Sequence, residues 1–391
     1  MSPTSDSVQK SYAAEMSVKP HGLGPSTGHG GPRGPITQIT EDNTSVPLSL
    51  AHLARGSEAP RRRARYTVIR GGRASSLQVV RCRLDDGIRD RLGEEIVERV
   101  DGTRLDSDAD QAILAGIGAR ALRRHLPDEI QHSLYTFTDA GRHALVLENL
   151  PKQSFPDTPV DGFADEPSLA PTNAIHFGLV QVLGLTPFSV PYENNGCLIR
   201  NVVPNPAAAG TASSWGADSE FFWHTDNPHL PFDIRSGDPR VSPPRYLSFY
   251  AVRNDEKVPT ELAALEDALQ RLEPSMQRWL RAPAFEVGPP DSVNDDVTNT
   301  ELPLANIPIL EPTGGSERVR YDRGTVKGIV SDAQAAVEGW AGILEDVPAL
   351  PLVMSPGEFL IFDNHRSLHK RKAFTPAARG SERWLRRCYA G

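Results

Sequence analysis

The sequence is poor in cysteine, in long apolar runs and in net positive charge. Its three cysteines, Cys82, Cys197 and Cys388, follow no C-x-x-C spacing, which argues against a disulfide framework or a zinc knuckle. It shows no signal-peptide pattern and no run of about 18 apolar residues, the length that a membrane helix needs. The formal net charge of −8 gives no support for a nucleic-acid partner. These absences favour a cytoplasmic protein with neither a membrane nor a nucleic-acid partner.

The composition changes along the chain and predicts its organisation. Residues 1–65 are rich in serine, proline, glycine and threonine and have no periodic apolar face, so we expect a disordered or poorly ordered extension. Residues 66–391 are expected to form one domain. Within it we expect a helical part at about 85–185 and a strand-rich core at about 195–391.

Apolar periodicity predicts the individual elements. Helices are expected at 88–100, 107–126, 174–183, 260–272 and 332–344. Strands are expected at 143–151, 197–203, 246–252, 307–310, 318–321, 357–362 and 383–389. Many unevenly spaced strands with helices packed outside them are typical of an antiparallel barrel or jelly roll.

Residues 221–228, FFWHTDNP, contain a candidate metal-binding pair, His224 and Asp226. Residues two apart on a strand point to the same side. Two neutral imidazoles and one carboxylate leave three positions of an octahedral Fe(II) open, as in non-haem oxygenases. A His-x-Asp pair also occurs often by chance, as a surface histidine beside a turn aspartate, so the hypothesis needs a second histidine.

Two histidines in DNHRSLHKR, residues 363–371, could complete such a site, namely His365 and His369. Each has an arginine 14 residues later, Arg379 and Arg383 respectively. Arg379 lies in PAARG, which is typical of a loop, whereas Arg383 opens the alternating stretch RWLRRCY. A guanidinium fixed on a strand can bind a carboxylate in a bidentate manner. We therefore choose His369 with Arg383, and interpret His365 as a neighbouring or surface group.

These segments together resemble the clavaminate synthase-like branch of the TauD/TfdA superfamily of Fe(II)- and 2-oxoglutarate-dependent oxygenases. That branch includes hydroxylases of free arginine, asparagine and lysine. The other matching segments are ALVLENLP at 144–151, VPYE at 190–193, NVVP at 201–204 and YLSFY at 246–250. The resemblance covers about residues 80–391. It implies an α+β fold with a double-stranded β-helix (jelly-roll) core and flanking helices.

The resemblance also implies roles for individual residues. The implied Fe(II) ligands are His224, Asp226 and His369, the implied 2-oxoglutarate contacts are Arg383 and Thr260, and the implied substrate contacts are Arg387, Asp322, Glu193 and Ser214. Arg387 would hold the substrate α-carboxylate, and Asp322 would face a basic side chain. Two details depart from the relatives. Many of them carry glutamate where this chain has Asp226, and Arg323 beside Asp322 weakens the case for free arginine as the substrate.

The implied activity is hydroxylation of an unactivated C–H bond of an amino acid or amino-acid-derived substrate. It would consume 2-oxoglutarate and O2, release succinate and CO2, and serve natural-product biosynthesis, including antibiotic biosynthesis. The substrate would be free or tethered to a carrier protein. Desaturation or cyclisation at the same site, a hydrolytic zinc enzyme and a non-catalytic metal-binding barrel are the alternatives. The aspartate ligand disfavours halogenation, because it leaves no metal position open for a halide.

Overall fold

The computed structural model describes residues 65–70, 75–103, 110–232, 237–290 and 304–391. The disordered extension expected at 1–65 lies outside the described residues except for Arg65, which begins the first strand. All described residues fall within one unit of the fold. Helices and strands are mixed along the chain, with most of the helices before the strands that surround the candidate site.

The helices form mainly a layer on one side of the large sheet. Their bounds are α1 Asp86–Asp101, α2 Asp110–His125, α3 Asp128–Tyr135, α4 Ala170–Val182, α5 Leu265–Leu269, α6 Pro274–Leu280 and α7 Ser331–Asp346. The backbones of α2 and α4 touch, since a methyl group on Gly118 would lie 1.7 Å from the carbonyl oxygen of Ala174. Only glycine permits that approach. Among the described residues, no helix has both the length and the apolar character needed to cross a membrane.

The strands form two large sheets and two small ones. Their bounds are β1 Arg65–Arg70, β2 Gln78–Arg83, β3 Ala144–Glu148, β4 Pro187–Phe188, β5 Arg200–Val202, β6 Phe221–His224, β7 Tyr246–Arg253, β8 Thr260–Ala264, β9 Phe285–Val287, β10 Leu304–Ile307, β11 Leu310–Thr313, β12 Ser316–Val319, β13 Val326–Gly328, β14 Leu350–Leu352, β15 Phe359–Asp363, β16 Ser367–Arg371 and β17 Trp384–Ala390. The larger sheet has the order β1-β2-β3-β15-β7-β17-β4, with β5 also paired to β17. The second has the order β14-β8-β16-β6.

The apolar run of β15 is buried on both faces of the large sheet. Phe359 and Ile361 pack on the helical layer, while Leu360 and Phe362 pack in a second cluster together with Leu262 of β8. A strand buried on both faces is expected to be apolar at every position and not to alternate. The second cluster lies between the two large sheets, and the candidate site lies at the same interface.

Two predicted elements are wrong. Residues 260–264 were expected to begin a helix but form β8, and only Leu265–Leu269 is helical. The alanine-rich sequence favours a helix locally, but β8 is buried throughout and paired on both sides, with β14 and β16. Tertiary pairing therefore outweighs local propensity. The strand expected at 307–310 is also wrong, because β10 ends at Ile307 and β11 begins at Leu310.

Candidate metal centre

Strand pairing brings the two histidines of the candidate centre together. His224 ends β6 and lies opposite His369 of β16 in the antiparallel register. Along β16, Leu368 points into an apolar cluster on one side of the sheet, so His369 points to the other side. The centroids of the two imidazole rings are 4.0 Å apart.

Asp226 lies beyond the end of β6 and is held by the turn after β15. Its backbone N–H donates to Oδ1 of Asn364 at 2.9 Å, and Nδ2 of Asn364 donates to the Asp226 carbonyl at 3.2 Å. Asn227, next in the chain, has a positive φ of 52°, a conformation that asparagine tolerates better than most residues. The chain thus turns at this point, and the shared orientation of His224 and Asp226 does not depend on a continuous strand.

The three side chains converge in the interior. Oδ1 of Asp226 lies 3.2 Å from Nε2 of His369 and 3.6 Å from Nε2 of His224. All three residues are buried, and one ligand atom from each lies within 4.8 Å of the others. The structure thus brings together the three residues that the sequence singled out.

The donor set fits a divalent metal. Nδ1 of His224 lies 2.7 Å from the carbonyl oxygen of Phe222, which accepts its hydrogen and leaves Nε2 with the lone pair. That buried Nε2 has no hydrogen-bond partner among the described residues. A buried nitrogen without a partner, beside a second imidazole and a carboxylate, suits Fe(II). A hydrogen bond from the other ring nitrogen to a carbonyl is the usual support of a metal-binding histidine.

The charge states at the centre also suit a metal. Burial alone raises the pKa of Asp226, but Arg387 and the two histidines outweigh it and hold the pKa well below its usual range. Burial and the neighbouring His224 lower the pKa of His369 to about 4. The centre therefore offers an ionised carboxylate and a neutral imidazole at neutral pH, the forms that metals bind.

A buried cation lies in a cavity beside the centre. Arg383 lines this cavity together with His369 and Thr260, and its Nη2 lies 3.5 Å from Oγ1 of Thr260. Burial and the positive charge of Arg371 lower the pKa of Arg383 to about 9. Nε of Arg383 has no hydrogen-bond partner in the part of the chain that the structure describes. A buried guanidinium with donors to spare is a place for an anion.

A second cavity adjoins the first at the centre and is lined by Ser214, Asp322 and Arg387 among others. The backbone of Asp322 forms a bridge with His224, and its Oδ1 accepts from the backbone N–H of Gly324 at 2.8 Å. The guanidinium of Arg323 lies over the ring of Phe222 at 4.7 Å. This arginine, which weakened the case for a basic substrate, therefore has an aromatic partner of its own.

Arg387 links Glu193 to the centre. Nη1 of Arg387 donates to Oδ2 of Asp226 at 2.7 Å, and Nη2 donates to Oε1 of Glu193 at 2.5 Å. Ser214 accepts a hydrogen bond from Nε of the buried Arg200 at 2.9 Å, and Arg200 lies 3.5 Å from Glu193. Eight sequence-predicted residues therefore line one pair of adjoining cavities: His224, Asp226, His369, Arg383, Thr260, Arg387, Asp322 and Ser214. The ninth, Glu193, lines a neighbouring cavity that Arg387 also lines.

The rejected histidine and arginine lie apart from the centre. Nε2 of His365 lies 3.0 Å from the carbonyl oxygen of Pro243, and its ring packs edge-on against Phe232. Arg379 is exposed in a turn. Their environments give neither of them a place in the two cavities.

The sequence reasoning missed three residues around the centre, namely Asn364, Tyr389 and Arg200. Tyr389 is two residues beyond Arg387 on β17 and therefore shares its face, so strand periodicity could have found it. Asn364 follows an apolar strand in a turn, where asparagine commonly bonds to backbone. Arg200 carried no comparable signal, since its partners Ser214 and Trp215 lie in a distant segment.

Comparison with known proteins relates this chain to dioxygenases and amino-acid hydroxylases. The family model described as taurine catabolism dioxygenase TauD, TfdA family, matches residues 316–389. Enduracididine beta-hydroxylase of Streptomyces hygroscopicus is 23% identical over 324 residues, 76% of this chain and 89% of that protein. L-asparagine oxygenase of Streptomyces coelicolor is 28% identical over 255 residues, 63% of this chain and 70% of that protein.

Solved structures share the fold. An asparagine oxygenase in complex with Fe(II), 2S,3S-3-hydroxyasparagine and succinate superposes with a TM-score of 0.65 at 23% identity, covering 79% of this chain and 92% of that one. The non-haem iron oxygenase OrfP, in complex with Fe and alpha-ketoglutaric acid, gives a TM-score of 0.65 at 23% identity, covering 79% of this chain and 93% of that one.

The mixed helix-and-sheet fold, the donor set and these similarities define the class of protein, an Fe(II)- and 2-oxoglutarate-dependent oxygenase. Residues 316–389 match the TauD/TfdA family model, and the curated relatives of the chain include amino-acid hydroxylases and a clavaminate synthase. The resemblance inferred from the sequence motifs is confirmed.

Proposed function

We propose that this protein hydroxylates an unactivated C–H bond of a free amino acid or a close derivative, consuming 2-oxoglutarate and O2 and releasing succinate and CO2. The observation that carries the proposal is the convergence of His224, Asp226 and His369 beside the buried Arg383. The relatives act on enduracididine, lysine and asparagine, as their names state. We further propose that the two large sheets, which enclose one apolar cluster, form a double-stranded β-helix.

His224, Asp226 and His369 would hold Fe(II). Bound there, iron supplies the oxidising power for the reaction, drawn from O2 and the oxoacid. The chain keeps the ligands in the required state. The carbonyl oxygen of Phe222 sets the tautomer of His224, and burial keeps His369 neutral.

Arg383 and Thr260 would anchor 2-oxoglutarate by its distal carboxylate. The guanidinium is buried and has a donor to spare, and the Thr260 hydroxyl lies within 3.5 Å of it. Both line the cavity that also exposes His224 and Asp226. A dicarboxylate bound to Arg383 would thus lie with its other end towards the centre.

Arg387 and Glu193 would bind the amino-acid part of the substrate. They form a buried ion pair at 2.5 Å, and breaking a buried pair is costly unless both charges find new partners. A zwitterionic amino acid offers both partners, a carboxylate for Arg387 and an ammonium for Glu193. We favour a free substrate over a carrier-tethered one, because an acyl group on a carrier has lost the carboxylate that Arg387 would hold.

Asp322 and Ser214 would contact the remainder of the substrate. Both line the second cavity, and Asp322 is absent from the lining of the cavity that contains Arg383. A carboxylate in that position favours a substrate whose side chain ends in a cationic or hydrogen-bond-donating group. This chemistry agrees with a place in the biosynthesis of a modified amino acid for a natural product.

The ligand assignment can be tested by spectroscopy. Anaerobic protein with Fe(II) and 2-oxoglutarate should show a weak visible charge-transfer band, and His224→Ala should lose it. The matched control is His132→Ala, which removes an exposed histidine from α3. A band of normal intensity in His224→Ala would contradict the proposed ligands.

The activity can be tested by following succinate release over a panel of free amino acids. The proposal requires succinate release that depends on O2 and on at least one amino acid, together with a hydroxylated product. Turnover without O2 would favour a hydrolytic zinc enzyme. Absence of turnover with every substrate, despite a normal charge-transfer band, would favour a non-catalytic metal-binding protein.

A further inference from the structure

Two buried carboxylates, Asp226 and Glu193, share two partners at the candidate centre. Arg387 donates to both, to Oδ2 of Asp226 at 2.7 Å and to Oε1 of Glu193 at 2.5 Å. The hydroxyl of Tyr389 also reaches both, since it lies 2.7 Å from Oε2 of Glu193 and 3.2 Å from Oδ2 of Asp226. Tyr389 is therefore a second bridge between the carboxylate of the centre and its neighbour.

The two oxygens of Asp226 have different surroundings as a result. Oδ1 faces the imidazoles of His369 and His224 at 3.2 and 3.6 Å. Oδ2 is turned away from them and lies against Arg387 and Tyr389. A carboxylate whose second oxygen is held in this way offers only its first oxygen to a metal.

The position of the Tyr389 hydroxyl is fixed by its surroundings. Its ring lies 5.8 Å from that of Phe188, and the guanidinium of Arg387 lies over it at 4.3 Å. Its backbone is paired with β4 on one side and β7 on the other. A buried aromatic ring packed in this way keeps its hydroxyl in place without help from the carboxylates.

We infer that Tyr389 is a positioning residue that holds Oδ2 of Asp226, so that Oδ1 alone is presented with His224 and His369. The inference rests on the proposed function, since it assumes that these residues bind a metal. Arg387 cannot do this alone once a substrate carboxylate competes for its guanidinium. A hydroxyl carries only one hydrogen, so an ammonium group bound to Glu193 leaves the Tyr389 hydrogen for Asp226.

The test uses Co(II) with the full-length protein and compares Tyr389→Phe with wild type. Phenylalanine keeps the ring contacts and removes only the hydroxyl. We expect Co(II) affinity to fall about tenfold, the scale typical of a lost outer-sphere partner of a metal ligand. We also expect the intensity of the visible Co(II) bands to change, because it depends on the coordination geometry.

The matched control is Tyr250→Phe, because the buried Tyr250 hydroxyl donates to the Pro151 carbonyl at 2.6 Å on the helix-facing side of the sheet. Both variants lose a buried hydrogen bond, but only Tyr389→Phe is expected to alter affinity and spectrum. Should Tyr389→Phe prove insoluble, Tyr389→Leu can replace it, because it also lacks the hydroxyl. It is expected to change the Co(II) affinity and the Co(II) spectrum in the same direction.

The outcomes separate this inference from the proposed function. If Tyr389→Phe binds Co(II) as tightly as wild type with an unchanged spectrum, the positioning role is wrong while the metal site stands. If wild type and His224→Ala bind Co(II) equally weakly, the metal site itself is wrong and the positioning role is wrong with it.

Discussion

His224 and His369 face each other across two antiparallel strands, with their ring centroids 4.0 Å apart. The pairing joins residues 145 positions apart in the chain, so the centre forms only when β6 and β16 are both in place. The four-stranded sheet therefore positions the two imidazoles through backbone hydrogen bonds, and Asp226 is added from the turn beyond.

The first prediction separates His369 from His365. Loss of an outer-sphere partner of a metal ligand lowers metal affinity by about 10- to 100-fold. Because His369 is a proposed ligand itself, His369→Ala should lower the affinity for Co(II) or Fe(II) by more than this. His365→Ala should leave the affinity unchanged, because its ring nitrogen bonds the Pro243 carbonyl and faces neither cavity. Metal titration of both variants checks this, and the reverse pattern would transfer the ligand role to His365.

The second prediction concerns the cosubstrate end of the site. Arg383→Gln should raise the apparent KM for 2-oxoglutarate by about 10- to 100-fold, since hydrogen bonds between charged groups contribute about 1.5–3 kcal/mol. The apparent requirement for Fe(II) should change much less. Arg379→Gln is the matched control, because Arg379 is exposed in a turn. Equal effects of the two variants would contradict an anchoring role for Arg383.

The sequence carried most of the information about the centre but less about its surroundings. His369 was chosen over His365 from the strand character of the segment that contains Arg383, and the structure places the chosen pair beside the same cavity. Strand alternation was sufficient to place Arg383 and Arg387 on the same face, because they are four residues apart in that segment.

Other features depend on contacts that no local pattern encodes. Thr260 was expected at the start of a helix, because Leu262–Leu265 reads as helix-forming, yet burial and pairing on both sides make it a strand residue. Arg387 was expected to hold the substrate α-carboxylate, and its hydrogen bond to Asp226, 161 residues away in the chain, was not foreseen. Long-range ion pairs of this kind are visible only once the strands are placed.

The third prediction concerns Asn364, whose amide fixes the backbone of Asp226 through bonds of 2.9 and 3.2 Å. Asn364→Ala removes the partner of three buried backbone groups, the N–H and carbonyl of Asp226 and the carbonyl of Pro244, each costing about 1–3 kcal/mol of unfolding free energy. It should also lower metal affinity about tenfold, as the loss of an outer-sphere support does. Urea unfolding and metal titration measure the two effects.

Asn254→Ala is the control for Asn364. The buried amide of Asn254 makes hydrogen bonds of the same kind, to the backbone of Val258 and Met354. We expect a comparable loss of stability with unchanged metal affinity, measured without 2-oxoglutarate. A loss of metal affinity in both variants would show that general destabilisation, and not the support of Asp226, is responsible.

The fourth prediction concerns substrate choice at Asp322, which lines the second cavity, where we propose that the substrate side chain binds. Asp322→Asn should lower kcat/KM for amino acids with a cationic side chain by about tenfold or more, and change it little for neutral ones, because a charged partner adds about 1.5–3 kcal/mol. Substrate-dependent succinate release measures this. A uniform loss across the panel would contradict a charge-specific contact between Asp322 and the substrate side chain, since asparagine can still accept the hydrogen bond from Gly324.

The fifth prediction is a pH dependence of stability from His176, which is fully buried in α4 with Nε2 2.9 Å from Oγ of Ser248. Burial lowers the pKa of His176 from 6.5 to about 3, so below pH 6.5 the unfolded chain binds a proton that the folded chain does not. This group therefore lowers stability as pH falls from 6.5 towards 3, by about 1 kcal/mol between pH 6 and pH 5. Urea unfolding of wild type and His176→Gln at these two pH values isolates the effect, since glutamine does not titrate. An equal loss of stability in both proteins would assign the acid sensitivity to other groups.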